Sequence, residues 1–236
     1  MKIALLGYGK MGKTIETLAL QKGHSVVFKS TIENSEGNIE DADIAIEFSS
    51  PEAAVSNISK ALVAGIPIVC GTTGWLANYN EMVKLCENSN GSFIYASNFS
   101  VGVNLFFNIN EYAARLMAQW KEYDVSIEEI HHLEKKDAPS GTAITIAEGI
   151  LKYNDKNNWK LNSREQDSLN ITAKREEDVK GTHKVSYNSS IDTISFIHEA
   201  HNREGFAKGA ILAAEWLKDK KGVFSMKDVL GLKIYD

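Results

Sequence analysis

The sequence predicts an α/β protein: a Rossmann-type doubly wound parallel sheet, followed by an α+β domain with an open sheet. Three observations carry this. Short apolar runs alternate with helical stretches over the first hundred residues, as βαβ units do. Gly7-x-Gly9-x-x-Gly12 sits directly after the first run. Beyond residue 100 the alternation gives way to longer helices and period-two strands. The expected domains are 1–100, onto which 203–236 packs back, and 101–202.

Lys2 to Leu6 reads as a buried parallel strand, and Met11, Ile15, Leu18 and Ala19 recur at helical spacing until Gly23. Ser25–Phe28 and Ile44–Phe48 read as the next strands. Ser50-Pro51-Glu52 opens a helix, with serine as N-cap, proline in the first turn and an acid near the positive end. Gly65 closes it, and Ile66–Cys70 forms a strand leading into Gly71-Thr72-Thr73-Gly74. A helix around Tyr79–Cys86 and a strand Phe93–Ala96 complete the alternation. A helix over roughly Val103–Gln119 and a strand before His131 start the second half. A further helix begins near Ser140. Tyr153 to Asn170, rich in Asn, Lys and Ser, reads as a mobile connection. Two strands follow, joined by a turn at Asn188-Ser189-Ser190, and Gly205–Lys218 reads as a last amphipathic helix.

A formal net charge of -5 and a pI near 5.7 leave no global field for nucleic acid or an anionic membrane. No apolar run approaches the ~20 residues of a membrane span. Cys70 and Cys86 suggest neither a disulfide framework nor a metal site, and the opening residues do not read as a signal peptide. The expected location is cytoplasmic. Any anion must be held locally, by a few placed groups.

The glycine loop is one candidate for that. Following a strand and opening a helix, it allows close backbone approach to a pyrophosphate, with helix N–H groups and partial positive charge behind it. The acid expected ~20 residues on, to bind a ribose diol, is missing. Phe28-Lys29-Ser30-Thr31 stands there instead, with Glu33 the first acid. Lys29 and Thr31 share a face of an extended chain and suit a 2′-phosphate, so dual use of NADH and NADPH with a modest NADPH bias is expected. Gly71, Thr72 and Thr73, and then Asn98-Phe99-Ser100, lie at strand carboxyl ends, where open α/β sheets bind ligands.

The second candidate is Ile130 to Ala143, reading IHHLEKKDAPSGTA. His131 and His132 end a strand and point to opposite faces. Lys135 and Lys136 follow in a loop, and Ser140-Gly141-Thr142 starts a helix, where Ser140 or Thr142 can cap. The set suits a small dianionic substrate, with carboxylates on the helix N-terminus and lysine and a histidine or lysine donating a proton.

EEIHHLEKKDAPSGTA closely resembles the signature of the dihydrodipicolinate reductase (4-hydroxy-tetrahydrodipicolinate reductase) family of lysine and diaminopimelate synthesis. The resemblance extends to GYGKMG, GTTGW, SNFSVGVN and HEAHNREGFAKGAILAAEWL, spanning nearly the whole chain. It implies a Rossmann-type nucleotide domain, NADH or NADPH as hydride donor, and a homotetramer built by the substrate domain's sheet. It also implies that His131 is the proton donor/acceptor and Lys135 the proton-donating lysine. His132, Gly141 and Thr142, with Ser140 adjoining, match substrate-holding residues. Gly7, Tyr8, Gly9, Lys10, Met11 and Gly12, then Gly71 to Thr73, then Ala96, Ser97, Asn98 and Phe99, match cofactor-binding segments. The chain departs from the family pattern at several points. Its glycine loop is one residue shorter than in longer members, with Lys10 where arginine is common. Thr31 stands near a usual acid, the segment before Gly181 is abbreviated, and Lys180 replaces a usual proline.

Two rivals remain at this level. Another Rossmann imine or amino-acid dehydrogenase would share the glycine fingerprint without needing the Ser-Gly-Thr turn after a His-His pair. A non-catalytic dinucleotide sensor would leave Lys135 idle.

Overall fold

The computed structural model describes residues 1–163, 165–202 and 204–232. They fall into two compact units, Met1–Val101 with Glu204–Ile234, and Gly102–Arg203. The expected C-terminal piece at 203–236 lies outside the described residues at 203 and 233–236. The elements in chain order are β1 (Lys2–Leu6), α1 (Lys10–Gln21), β2 (Ser25–Ser30), β3 (Ser35–Gly37), β4 (Ile44–Glu47), α2 (Pro51–Val63), β5 (Ile68–Cys70), α3 (Tyr79–Asn88) and β6 (Ser92–Tyr95). Then follow α4 (Val101–Met117), β7 (Asp124–His131), α5 (Gly141–Leu151), β8 (Asn158–Leu161), β9 (Ser168–Arg175), β10 (Thr182–Asn188), β11 (Thr193–Glu199), α6 (Glu204–Leu217), β12 (Gly222–Phe224) and α7 (Met226–Leu230).

The first unit is built on a seven-stranded sheet in the order β12-β6-β5-β4-β1-β2-β3, parallel except for β3. Its central strands are largely apolar on both faces because both faces are covered, with Lys2 at the start of β1 and Glu47 at the end of β4 as the charged exceptions. Ile3 and Leu5 of β1, with Ile44 and Ile46 of β4, enter one core with Ile15 and Ala19 of α1 and Ala210, Ile211 and Ala214 of α6. Ala4, Leu6 and Ala45 point the other way, into a core with Ile58 and Leu62 of α2 and Met82 and Cys86 of α3. Helix α2 starts as its sequence suggests, with Ser50 at the N-cap and Pro51 in the first turn. Strands β3 and β12 have three residues each and little buried apolar surface. No periodicity could have announced them.

The second unit carries a five-stranded mixed sheet, ordered β11-β10-β7-β9-β8. Strands β11, β10 and β7 run antiparallel in turn, whereas β7, β9 and β8 are mutually parallel. Strand β7 alternates strictly: Val125, Ile127, Glu129 and His131 are buried, and the residues between them face the less covered side. The buried apolar side meets Ala143, Ile146, Ala147 and Ile150 of α5 and Phe106, Ala113 and Ala114 of α4. Asn188 and Thr193 close the β10–β11 hairpin as the turn residues predict.

The expectation of a mobile connection from Tyr153 to Asn170 is corrected, although Arg164 within it lies outside the described residues. The stretch contains β8 and the start of β9. Strand β8 is an edge strand with exposed ends, so its Asn and Lys residues are solvated while its backbone pairs with β9. Polarity there marks an edge, not a loop.

Gly209 sets how closely α6 approaches the chain after β6. A Cβ at that position would fall on the Phe99 carbonyl, which is backbone and cannot swing aside. Gly209→Ala should therefore destabilise the protein by about 1–3 kcal/mol, the cost of overpacking, and lower the thermal midpoint by several degrees. An unchanged midpoint would show that α6 shifts without penalty.

Candidate active site

Glu129 is the third inward residue of β7 and is fully buried. The strand alternation that points Val125 and Ile127 into the core delivers this carboxylate there too. Both of its oxygens accept the Ser140 backbone N–H, at 3.1 and 3.0 Å. Arg175, at the end of neighbouring β9, brings a guanidinium nitrogen to 3.5 Å. His131 Nδ1 stands 3.6 Å away and His183 Nε2 of β10 stands 3.8 Å away. A buried carboxylate is tolerated only where donors and cations compensate its lost hydration. Here the start of α5 and Arg175 do so.

The same groups hold the loop after β7. Arg175 donates to the carbonyls of Lys135 at 3.1 Å and Asp137 at 2.6 Å. Lys135 N–H donates to the His132 carbonyl, and its ammonium grips both oxygens of Asp137 at 2.8 Å. Ser140 is the N-cap of α5: its hydroxyl accepts from Ala143 N–H at 3.2 Å and lies 3.2 Å from His183 Nε2. The structure thus joins His131, Lys135 and Ser140 in one network, with Gly141 opening α5 and Thr142 buried in its first turn. His132 separates from His131 as alternation requires. It lines a different cavity, of about 550 Å³, with Glu134, Glu177, Lys180 and Asn202.

Glu129, Asp137, Arg175 and His183 were not singled out from sequence. Glu129 and His183 carried a usable signal, since each is a titratable residue in phase with the inward apolar positions of its strand. Arg175 gave none, because its role depends on β9 lying beside β7. Glu129, His131 and His183 hold ligand-type atoms within 4.8 Å of one another. The Arg175 cation and the Ser140 N–H already engage the carboxylate, while, among the described residues, Nδ1 of both His131 and His183 is buried without a hydrogen-bond partner.

In the first unit, a cavity of about 540 Å³ is lined by Gly7, Tyr8, Gly9, Thr31, Glu33, Phe48, Ser49 and Asn57, among others. Gly7 takes φ +95°, and a Cβ there would strike the Phe48 carbonyl. Gly9 is the N-cap of α1 with no side-chain cap, and open space surrounds the place its Cβ would occupy. Such a bare, uncapped helix start fits a pyrophosphate. Lys10, Met11 and Gly12 continue into α1.

Lys29 has partners of its own in this structure. Its ammonium pairs with Glu16 at 2.5 Å and lies 4.9 Å above the Tyr8 ring, whose hydroxyl also donates to Glu16. Lys29 does not line the cavity. Thr31 does, but its hydroxyl accepts the Glu33 and Asn34 N–H groups in a turn that brings Glu33 to the wall. Gly71, Thr72 and Thr73 follow β5, where the Thr72 hydroxyl accepts Ser49 N–H at 2.8 Å. Ala96, Ser97, Asn98 and Phe99 follow β6. The Phe99 side chain belongs to the core and stacks at a tilt on Phe48, so only its backbone can face a ligand.

Burial holds the His131 imidazole down at about 4, with Lys135 and Arg175 as further causes. Burial holds His183 at about 3, aided by His131, His198 and Lys135. Both values lie below the ordinary 6.5, so the unfolded chain takes up protons first as pH falls. Stability from these rings is whole above pH 6.5 and drains as pH falls from there toward 4. His183→Gln removes one such group, and its urea midpoint should drop less between pH 7 and pH 5 than that of the unsubstituted protein. Equal drops in the two proteins would refute a neutral buried His183.

Comparison with known proteins identifies the family. Family models described as dihydrodipicolinate reductase, N-terminus, and dihydrodipicolinate reductase, C-terminus, match residues 1–99 and 102–230. A 4-hydroxy-tetrahydrodipicolinate reductase from Christiangramia forsetii is 53% identical over 233 residues, covering 98% of each chain. One from Methanoregula boonei is 38% identical over 197 residues, covering 81% of this chain and 76% of its own. A dipicolinate-bound dihydrodipicolinate reductase from Paenisporosarcina sp. TG-14 shares the fold, with a TM-score of 0.75 at 21% identity, covering 95% of this chain and 97% of that one. With both halves of the signature matched and a full-length relative above half identity, this chain belongs to the dihydrodipicolinate reductase family.

Proposed function

We propose that the chain reduces 4-hydroxy-tetrahydrodipicolinate to tetrahydrodipicolinate, in lysine and diaminopimelate biosynthesis, with NADH or NADPH as donor and His131 and Lys135 as its acid–base groups. The convergence of His131, the Lys135 loop and the start of α5 on the Glu129 carboxylate carries this reading. A bound nicotinamide supplies the hydride. Its arrival on a ring carbon conjugated to the imine leaves negative charge on the substrate, which the protein must stabilise and protonate. Lys135 brings a cation whose present partner, Asp137, is itself a carboxylate, so a substrate carboxylate can take that place. The first turn of α5, at Gly141 and Thr142, offers N–H groups and partial positive charge to a substrate carboxylate. His131 is neutral at pH 7, and a dianion beside it favours protonation. His132 and Ser140 complete the substrate contacts in this reading.

The nucleotide belongs to the Gly7–Gly12 turn and its cavity, with Gly71 to Thr73 and Ala96 to Phe99 as the further wall. A homotetramer and a cytoplasmic setting accompany the proposal. Exposed Ile194 and Ile197 on edge strand β11 support assembly through the second sheet. Among the described residues no helix is long and apolar enough to cross a membrane.

Lys135→Ala and His131→Ala should each lower kcat by about 10²–10⁴, the usual contribution of a positioned acid, with little change in cofactor affinity. His132→Ala should act chiefly on the KM for substrate. A loss below tenfold at Lys135 with an unaltered pH profile would remove it from the mechanism. The assay is coupled to the enzyme that supplies fresh substrate and follows cofactor oxidation.

Cofactor choice gives a separate test. Lys29 is engaged with Glu16, so Lys29→Ala should leave the ratio of NADPH to NADH turnover within about twofold. Glu33 stands on the cavity wall and disfavours a 2′-phosphate, so Glu33→Gln should move that ratio toward NADPH. The shift should be less than tenfold, as expected for an exposed charge worth ~1 kcal/mol. A large loss of NADPH use in Lys29→Ala would restore the lysine as the phosphate ligand.

A further inference from the structure

The register of the second sheet gathers three metal-ligating side chains on one buried face. Glu129 and His131 stand two residues apart on β7, so alternation sends both inward. His183 of β10 lies directly opposite Glu129 in the antiparallel pairing, which brings the two side chains together. The two oxygens of Glu129 have different neighbours. Arg175 approaches Oε1, at 3.5 Å, whereas His131 Nδ1 and His183 Nε2 approach Oε2, at 3.6 and 3.8 Å. Both nitrogen–oxygen separations are too long for a hydrogen bond. Among the described residues His131 Nδ1 has no other hydrogen-bond partner, and a buried ring nitrogen left so is uncommon.

Two imidazoles and one carboxylate are the donor set of open zinc sites, which keep a fourth position for water or an anion. Bonds of about 2.0–2.2 Å at tetrahedral angles put ligand atoms ~3.3–3.6 Å apart. The separations of 3.6 and 3.8 Å from Oε2 nearly meet that spacing. All three ligand-type atoms lie within 4.8 Å of one another, so the imidazoles have to close on the ion by side-chain rotation. The Ser140 hydroxyl, 3.2 Å from His183 Nε2, is a further oxygen at ligand spacing. Arg175 and the Ser140 N–H hold the carboxylate, as outer partners of a metal ligand do. Two features limit the affinity. Lys135 and Arg175 repel positive charge placed at His131. His183 Nδ1, which must carry the ring's proton once Nε2 binds an ion, is buried with no partner among the described residues. The set suits a reversible ion, bound at micromolar concentration, rather than a resident structural one.

We propose that Glu129, His131 and His183 bind a zinc-type divalent ion reversibly, and that the bound ion inhibits turnover. Imidazole nitrogens select zinc, cobalt and nickel ions over magnesium and calcium. The binding site stands on the strand register and the distances above. The inhibition rests on the reading of His131 as an acid–base group. An imidazole held by an ion through Nδ1 keeps one proton, at Nε2, and cannot take up a second. It is then no longer available as the imidazolium that gives a proton to the substrate.

Calorimetric titration of the tag-free protein with zinc chloride should give one ion per chain with a micromolar Kd. Cobalt(II) in its place should give the visible absorption of a four-coordinate ion. Losing a mere outer partner of a ligand costs about 10–100-fold in metal affinity, so His183→Gln, which removes a ligand, should weaken zinc at least about thirtyfold. In the coupled assay, zinc should inhibit at concentrations that leave the supplying enzyme unaffected. A chelator should restore the rate, and magnesium should have no effect. No zinc binding by the unsubstituted protein overturns the proposal, as does a folded His183→Gln protein that binds zinc within threefold of the original. If His183→Gln does not fold, His131→Gln removes the other nitrogen, and its zinc affinity is read against the same limits. Zinc binding that is lost in these variants but leaves turnover of the unsubstituted protein unchanged would support the site and refute His131 as the acid–base group.

Discussion

The proposed chemistry depends on one buried carboxylate. Glu129 sits in the phase of β7 that enters the core, so it cannot be hydrated. Its burial is tolerable because an N–H of Ser140, the Arg175 cation and two imidazoles close around it. That requirement organises the neighbourhood. Arg175 reaches Glu129 and, from the same guanidinium, fixes the Lys135 and Asp137 carbonyls. Ser140 must bring its N–H inward, which orients the first turn of α5. Remove the charge and these segments lose their common anchor.

The environment that positions His131 also sets its protonation. Burial and two nearby cations keep the ring neutral, and the same cations are what an anionic substrate would meet. A dianion would therefore offset the repulsion that holds His131 low. In the proposed reading, binding and proton uptake would be coupled through shared charges.

The nucleotide unit applies a similar economy of donors and acceptors. Tyr8, Glu16 and Lys29 satisfy one another, which withdraws the lysine from the cavity. Glu47 accepts from the Ser49 hydroxyl and from the Asn57 amide, which also reaches the Ser49 oxygen. Close backbone approach does the rest: Gly7 lets the chain touch the Phe48 carbonyl, and Gly209 lets α6 lie on Phe99.

Sequence alone determined the α/β class, the strand–turn–helix context of Gly7 to Gly12, the hairpin at Asn188, and a helix start capped by Ser140 or Thr142, which the structure assigns to Ser140. Each is local: a periodicity, a glycine spacing or a capping residue acts over a few neighbours, and its physics needs no partner distant in the chain. Tertiary structure alone decided the rest. Whether Lys29 met solvent or an acid depended on Glu16 of the preceding helix, α1, packing beside β2. Whether Tyr153–Asn170 is a loop or an edge depended on β9 finding β7, since a polar edge strand and a polar loop read alike in sequence. Arg175 and Glu129 lie 46 positions apart and meet only because β7 and β9 pair side by side. The inward phase of Glu129 was legible, but the cation that makes its burial tolerable was not, because long-range pairing leaves no periodic trace.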